Sequence, residues 1–248
     1  ACNEVSHQSS FDDCVQVTAG CDHSCCLHED GHVSCWGDNS DGEFPPSDVF
    51  DIVQVEAACN FTCTLHEAGN IDCVGVDAFC VGDQEGDECL FPGYTIPPAG
   101  NDFIQIDCYS VQCCTLHESH GVTCWGIDHA GSTMPPSDTD FLSLSVGGEH
   151  SCGMRENHIG VCWGDDSIGQ TVTPSLYGDQ VESFGELEEI SAGSLHTCVR
   201  YANDYYGCVG HSDVDPDVFR HSDSVITQIE SGGFFACILF EPGQVECW

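Results

Sequence analysis

Apolar and polar residues alternate along this chain in short bursts, and the bursts recur. Val15 and Val17 are spaced by a polar neighbour, as are Val53 and Val55, Ile104 and Ile106, and Leu144 and Val146. Leu187 with Ile190 and Ile226 with Ile229 are less regular counterparts. Period-two alternation of branched residues predicts half-buried strands. A step of small residues follows, such as Ala19-Gly20, Ala57-Ala58, Gly147-Gly148, Ala192-Gly193 and Gly232-Gly233. Two further apolar runs then flank a turn signal, seen as Asp30-Gly31, Ala68-Gly69 and Pro242-Gly243. A polar-Gly pair between apolar runs predicts a tight β-hairpin. Loops rich in Asp, Gly and Pro join the units, and no helix longer than a turn or two is expected. The longest apolar run, Phe234–Phe240, is far too short to span a bilayer.

Cysteine spacing turns this pattern into a repeat. Six pairs are separated by nine residues: Cys25 with Cys35, Cys63 with Cys73, Cys114 with Cys124, Cys152 with Cys162, Cys198 with Cys208 and Cys237 with Cys247. Each pair brackets a hairpin turn, so its members face each other across two strands. Non-hydrogen-bonded antiparallel partners lie about 4.5 Å apart at Cα, within reach of a disulfide. Six hairpin rivets are therefore expected. First cysteines of successive pairs are 38, 51, 38, 46 and 39 residues apart. A period near 40 with about three strands per unit predicts propeller blades. The fold class expected is all-β: a β-propeller of six or seven short blades, each with a hairpin disulfide. Residues 14–248 form the propeller. Residues 1–13 are expected to add a ring-closing or exchanged strand, because the chain stops at Cys247-Trp248 within the repeat.

The chain has 21 cysteines. Nine lie outside the rivets, and Cys80–Cys89 and Cys2–Cys14 are the pairs expected among them. Cys21 and Cys59 occupy one position in adjacent blades and could staple them. Cys26, Cys108 and Cys113 are left over, and an odd total leaves at least one thiol free or bonded between chains. Such density in a repeating register implies an oxidising compartment: secreted, lumenal or at the cell surface. Zinc would call for close Cys-x2-Cys pairs with histidine partners, and no such spacing occurs.

Charge narrows the partners. There are 42 acidic and 3 basic residues, a formal charge of −39, and the cations are Arg155, Arg200 and Arg220. Nucleic acid is excluded, because no cations are available to replace phosphate counterions. An anionic membrane surface is disfavoured for the same reason. A cationic partner, bridging divalent ions or a salty medium suits this balance.

The unit from Ala19 to Gly42 resembles the regulator-of-chromosome-condensation repeat. The matching residues are Ala19-Gly20, His23-Ser24, Leu27, Gly31, Val33, Trp36-Gly37, Asn39 and Gly42. A second copy runs through Gly147-Gly148, His150-Ser151, Val161, Trp163-Gly164 and Gly169-Gln170. The resemblance covers residues 14–248 and implies a propeller, usually of seven blades, used as a binding surface. The family's nucleotide exchange is not carried over, since its basic tail and its specific loop have no counterpart here. His23, His150 and His196 are expected to make one structural hydrogen bond per blade.

Candidate chemistry is sparse. Leu27-His28-Glu29, Leu65-His66-Glu67 and Leu116-His117-Glu118 place a histidine on one strand of three consecutive blades, read as a solvated face. Asp38, Asn39, Asp41 and Glu43 form an oxygen-rich turn, and Asp83, Glu85, Asp87 and Glu88 form another. Asp38, Asp41, Asp83 and Asp87 are the candidate calcium ligands, without the full pattern of a calcium loop. Calcium is the one cofactor considered. Asn60-Phe61-Thr62 is the single glycosylation sequon. No nucleophile elbow, phosphate loop or paired-carboxylate motif is present, so no catalysis is expected. The function expected is a non-enzymatic secreted subunit of an extracellular assembly, self-associating or binding other extracellular proteins. The alternative is a soluble binder of a cationic protein or a glycan.

Overall fold

The computed structural model describes residues 13–76, 78–80, 89–93, 95–172, 185–211 and 220–248, with backbone alone at 78–80 and 89–92. The regular elements among them are strands, and none is a helix able to cross a membrane. Each repeat is one antiparallel sheet, or blade. Blade 1 holds β1 (Cys14–Ala19), β2 (His23–His28) and β3 (Val33–Gly37). Blade 2 holds β4 (Ile52–Ala57), β5 (Phe61–His66) and β6 (Ile71–Gly75). A two-stranded ribbon, β7 (Ala78–Cys80) and β8 (Cys89–Pro92), lies in the long connection that follows. Blade 3 holds β9 (Phe103–Tyr109), β10 (Gln112–His117) and β11 (Val122–Gly126), and blade 4 holds β12 (Phe141–Val146), β13 (His150–Arg155) and β14 (Gly160–Gly164). Blade 5 adds a fourth strand to β15 (Leu187–Ala192), β16 (His196–Tyr201) and β17 (Tyr205–Gly210), namely β18 (Arg220–His221). Blade 6 holds β19 (Ile226–Ser231), β20 (Ala236–Phe240) and β21 (Gln244–Cys247). Six blades are thus described. Two compact units are formed, residues 1–118 with 125–127 and residues 119–124 with 128–248.

The first strand of every blade carries a β-bulge near its start. A bulge puts two residues opposite one and re-aims the side chain between them. The extra residue is Val15, Val53, Ile104, Leu142, Glu188 or Thr227, and all six are exposed. Simple alternation would put Val53 and Val55 on one face. The bulge instead leaves Val53 49% exposed while Val55 is fully buried.

Five of the six rivets are described as direct register partners joined by a disulfide. Cys25 is bonded to Cys35, and Cys63 is bonded to Cys73. Cys152 is bonded to Cys162, Cys198 to Cys208 and Cys237 to Cys247. Their Cα atoms lie 4.0–4.1 Å apart. In three of these rivets one end is fully buried and the other half-buried, whereas Cys198 and Cys208 are both buried. Cys25, Cys63 and Cys152 on the middle strands are fully buried, whereas Cys35, Cys73 and Cys162 on the third strands are half-buried. A middle strand is flanked on both edges, and a third strand is flanked on one. Cys114 and Cys124 are both disulfide-bonded. Cys80 and Cys89 face each other in the β7–β8 register, but their side chains lie outside the described residues.

Cys21 is bonded to Cys59. The pairing Cys2–Cys14 is corrected: Cys14 is bonded to Cys26, with Cα atoms 5.7 Å apart. The bulge after Cys14 draws it back toward β2, a shift that spacing alone does not reveal. Cys108 is bonded to Cys113 across the β9–β10 turn, which removes both from the remainder. Cys2 and the rest of residues 1–12, with the strand expected there, lie outside the described residues.

Buried apolar side chains gather between blades. In the first unit, Cys25, Leu27 and Val33 of blade 1 pack on Ile52 and Val55 of blade 2, with Cys35 at the margin. Cys63, Leu65 and Ile71 of blade 2 pack on Phe103, Ile106, Cys108 and Cys113 of blade 3, with Cys73 at the margin. In the second unit, Cys152 and Met154 of blade 4 meet Leu187, Ile190 and Ala192 of blade 5, and Cys162 borders them. Cys198 and Cys208 of blade 5 meet Ile226, Ile229 and Ala236 of blade 6. Each seam therefore sets the hairpin disulfide of one blade against the first strand of its successor. Full burial of one such aliphatic side chain contributes about 1.5–3 kcal/mol. Ile106→Ala, in the middle of a seam, is expected to cost about 2–5 kcal/mol in urea unfolding. Val17→Ala, at the same repeat position of blade 1 but 64% exposed, should change stability by no more than about 0.5 kcal/mol.

Candidate functional site

The repeat's small residue and its histidine work as one joint between blades. Gly20 N–H donates to His23 O at 2.9 Å, closing the β1–β2 turn, and Gly147, Gly193 and Gly232 close the equivalent turns of their blades. A Cβ on Gly20 would lie 2.0 Å from Ala58 O of the next blade and 2.9 Å from the His23 ring. Only glycine leaves room for both. The histidine ring then crosses the seam: His23 Nε2 is 2.7 Å from Thr62 Oγ1, and His150 Nε2 is 2.7 Å from Thr197 Oγ1. These are the structural hydrogen bonds expected of His23 and His150. His196 points to blade 6, where Ala236 occupies the position of Thr62 and Thr197. Among the described residues no partner reaches its buried Nε2. Burial holds all three histidines below their ordinary pKa, His150 at about 4.

First strands join through side chains that imitate a neighbouring strand. Gln16 donates from Nε2 to Val55 O and accepts Val55 N–H at Oε1, both at 3.0 Å. Gln54 does the same to Ile106, at 2.6 and 2.9 Å. Glu189 takes this place in blade 5 and accepts Ile229 N–H at 2.9 Å, its charge met by Arg200 Nε at 3.0 Å. Glu56 accepts bonds from Gln16, Gln54 and Thr18. Burial first, then the Asp107 carboxylate, push the Glu56 carboxyl well above its usual range. The Glu56 side chain is half-buried. Burial also raises Glu189, against Arg200. The sequence reading missed this ladder, although Gln16, Gln54 and Gln105 recur at one repeat position.

The second histidine triplet is not a solvated face. His28 and His66 are 7% and 8% exposed. Their Nδ1 atoms lie 2.8 and 2.9 Å from Asp13 and Asp51 carboxylate oxygens, and His117 Nδ1 lies 3.0 Å from Asp102. Each acid immediately precedes its blade's first strand. In blade 4 Arg155 replaces the histidine and pairs with Asp138 and Asp140. An acid before the first strand, recurring at Asp13, Asp51, Asp102 and Asp140, was the overlooked signal.

Asp38 and Asp41 are the candidate calcium ligands that lie among the described residues. Asp38 caps its own turn, accepting Ser40 N–H at 3.1 Å and Ser40 O–H at 3.0 Å. Asp41 N–H donates to the buried Glu43. Asp165 with Ser167 repeats this turn after blade 4. Among the described residues, ligand atoms cluster at Cys14, Cys26 and His28 and at Cys63, Cys108 and Cys113, and neither group includes Asp38 or Asp41. Asp83 and Asp87 lie outside the described residues. Asn60 is exposed, but the Thr62 hydroxyl of its sequon is buried against His23. Recognition of that sequon would precede folding.

Two blade faces stand open. The counterparts of Val17 in the other blades, Val55, Ile106, Leu144, Ile190 and Ile229, are 0–6% exposed, against 64% for Val17. Val245 of blade 6 is 58% exposed, whereas Val33 and Ile71 at the same position are 4% and 6%. Phe234 and Phe235 add 63% and 53% exposure to that blade. Val17 of blade 1 and Val245 of blade 6 are thus exposed at positions where other blades bury the side chain.

Residues 14–43 match the model of the regulator of chromosome condensation (RCC1) repeat. No curated protein matches the chain. Among solved structures it is similar to the CRINKLY WD40 ectodomain of the Arabidopsis thaliana receptor kinase ACR4, at 18% identity and TM-score 0.68, over 95% of this chain and 79% of that one. The ectodomain of the Physcomitrella patens receptor kinase CR4 gives 22% identity and TM-score 0.71, over 94% of this chain and 63% of that one. Prp20p of Saccharomyces cerevisiae, studied for its binding to Gsp1p and histones, gives 16% identity and TM-score 0.73, over 94% and 71%. At these identities the likeness establishes the fold alone, an all-β propeller of repeated blades.

Two outcomes test the joints. Ala236→Thr supplies the hydroxyl that His196 lacks and should raise stability by about 1 kcal/mol in chemical unfolding; a fall would contradict the joint. A histidine lowered by burial takes up its proton more readily when unfolded, so its contribution is present above pH 6.5 and lost toward pH 4. His150→Gln should therefore flatten the loss of stability between pH 6.5 and 4, on the order of 2–3 kcal/mol for this one group.

Proposed function

From a propeller that carries an RCC1-type repeat and has the fold of RCC1-like proteins, we propose a non-enzymatic interaction module that works outside the cell and joins copies of itself. The disulfides of the hairpins support an oxidising compartment. The observation that carries self-association is the exposure of Val17, whose counterparts in the other five blades are buried, and of Val245, whose counterparts Val33 and Ile71 in blades 1 and 2 are buried. The blade 6 face of one copy offers what blades 1 and 2 offer their successors. Gln228 stands where Gln16 and Gln54 grip the next strand, and Val245 stands where Val33 and Ile71 enter the seam. The blade 1 face of another copy offers the Val17 backbone and side chain in return. Such a contact is head-to-tail, so it propagates into a ring or an open fibre.

A second reading rests on charge. Arg155 and Arg200 are consumed by ion pairs within the chain, which leaves its acidic surface nearly uncompensated. A cationic protein would be drawn to it, and retention on immobilised polylysine that falls with salt would support that partner.

Sedimentation over a range of protein concentrations tests the first reading. Species larger than one chain are expected, with Val17→Asp and Val245→Asp each shifting the distribution to monomer. A monomer at every concentration, indistinguishable from both variants, would overturn it.

A further inference from the structure

The open face of blade 1 carries a sulfur pair coupled to an imidazole. Cys14 stands where Ile52, Phe103, Phe141, Leu187 and Ile226 stand in the other blades, and those five are 0–4% exposed. Cys14 is only half-buried, while its partner Cys26 is fully buried. Nε2 of His28 lies 3.6 Å from Cys26 Sγ and 2.9 Å from Ser34 Oγ. Nδ1 of His28 lies 2.8 Å from Asp13 Oδ1. The two sulfurs and the histidine form one cluster with their ligand atoms within 4.8 Å of one another. Carboxylate, imidazole and sulfur therefore stand in a row that ends at a disulfide.

The other blades supply an internal comparison. Asp51 and His66 repeat the carboxylate–imidazole pair in blade 2, where Thr64 Oγ1 lies 3.3 Å from His66 Nε2 and Ile52 replaces Cys14. Asp102 and His117 repeat it in blade 3, beside Thr115 and Phe103. The pair is thus part of blade construction, and in blade 1 it has acquired a sulfur in place of the hydroxyl. The other sulfur cluster, Cys63 with Cys108 and Cys113, is buried at all three atoms and lies inside a seam, where no outside thiol can reach.

We propose that Cys14–Cys26 is a thiol-reactive disulfide, opened by the thiolate of a partner molecule. The thiolate attacks Cys14 Sγ, the reachable sulfur, and forms a new S–S bond to it. The Cys14–Cys26 bond breaks, and its electron pair leaves on Cys26 Sγ. His28, oriented through Nδ1 by Asp13, offers an Nε2–H hydrogen bond to the departing Cys26 thiolate, and the proton stays on the ring. One thiolate is consumed and one is released, so no net oxidant is required. The product is a mixed disulfide between the partner and Cys14. A leaving sulfur departs faster as its thiolate is stabilised, which is the contribution of the imidazole. The substrate class is a thiolate, whether on a small molecule or on another protein.

Dilute, monomeric protein is incubated with reduced glutathione, quenched by alkylation and mapped by mass spectrometry, bond by bond. Cys14–Cys26 is expected to open before Cys108–Cys113 and Cys198–Cys208, with glutathione found on Cys14. His28→Gln should slow its opening about tenfold, the effect of losing one hydrogen bond to a charged leaving group, and Asp13→Asn should slow it less. Opening of Cys21–Cys59 in the same samples should not change. His66→Gln, the same pair without a sulfur, should leave Cys14–Cys26 unaffected. A parallel incubation with a folded protein bearing one exposed thiol separates the two sources of thiolate, an adduct on Cys14 in either arm supporting the site. Glutathione on Cys26, an unchanged rate in His28→Gln, or faster opening in that variant through simple loosening of the blade would each overturn the proposal.

Discussion

The seam between consecutive blades is the interaction on which the rest of this structure depends. A three-stranded sheet of about two dozen residues cannot bury two faces by itself, so each blade borrows its core from its neighbour. The hairpin disulfide supplies one wall of that core, and the first strand of the next blade supplies the other. Polar groups then fix the register. A glutamine imitates a neighbouring strand, a histidine reaches a threonine, and a glycine clears the space between them. Parts of this chemistry recur at several seams, the glutamine grip from blades 1 and 2 and the histidine–threonine bond from blades 1 and 4. Its variations are informative, as where Glu189 replaces the glutamine and needs Arg200 beside it.

Charge and cysteine content follow from this arrangement. Each seam is small, and the chain carries 42 carboxylates against 3 cations. Self-repulsion would favour expansion, and a disulfide in the hairpin limits the unfolded chain by roughly 2–3 kcal/mol per closed loop. Some acids are turned to structural use. Asp13, Asp51 and Asp102 hold histidines, while the half-buried Glu56 accepts bonds from Gln16, Gln54 and Thr18 and is held above the usual carboxyl range. Histidines lowered by burial lose stability in acid. Glu56 and Glu189, raised by burial, lose it as pH climbs through the carboxyl range. Opposed slopes of this kind leave an intermediate pH range in which both sets are satisfied.

Repeats, hairpins and rivets were legible in the sequence because each depends on local spacing. Cys35, Cys73 and Cys162 meet their partners as the nine-residue interval requires, although the interval says nothing of their lesser burial. The turn positions were partly legible. Gly31, Gly69 and Gly243 announce a left-handed backbone, but His120, His158 and Asp204 adopt it at the same place without glycine. The bulge was not legible, since Val15, Val53 and Ile104 satisfy an alternating pattern while pointing to solvent. Its consequence was the wrong partner for Cys14. The acid–histidine pairs span 15 residues and two strands, so their proximity emerged only from the fold. Open faces on blades 1 and 6 were equally hidden, because Val17 and Val245 read like any other strand residue.

Amide hydrogen exchange tests the seam as the source of cohesion most directly. Val55, Ile106 and Ile229 N–H groups are held by Gln16, Gln54 and Glu189 of the preceding blades and should exchange slowly. Val17, at the same repeat position but 64% exposed, should exchange orders of magnitude faster, in line with local opening near zero cost. Equal protection at all four positions would contradict a cohesion that resides in the seams.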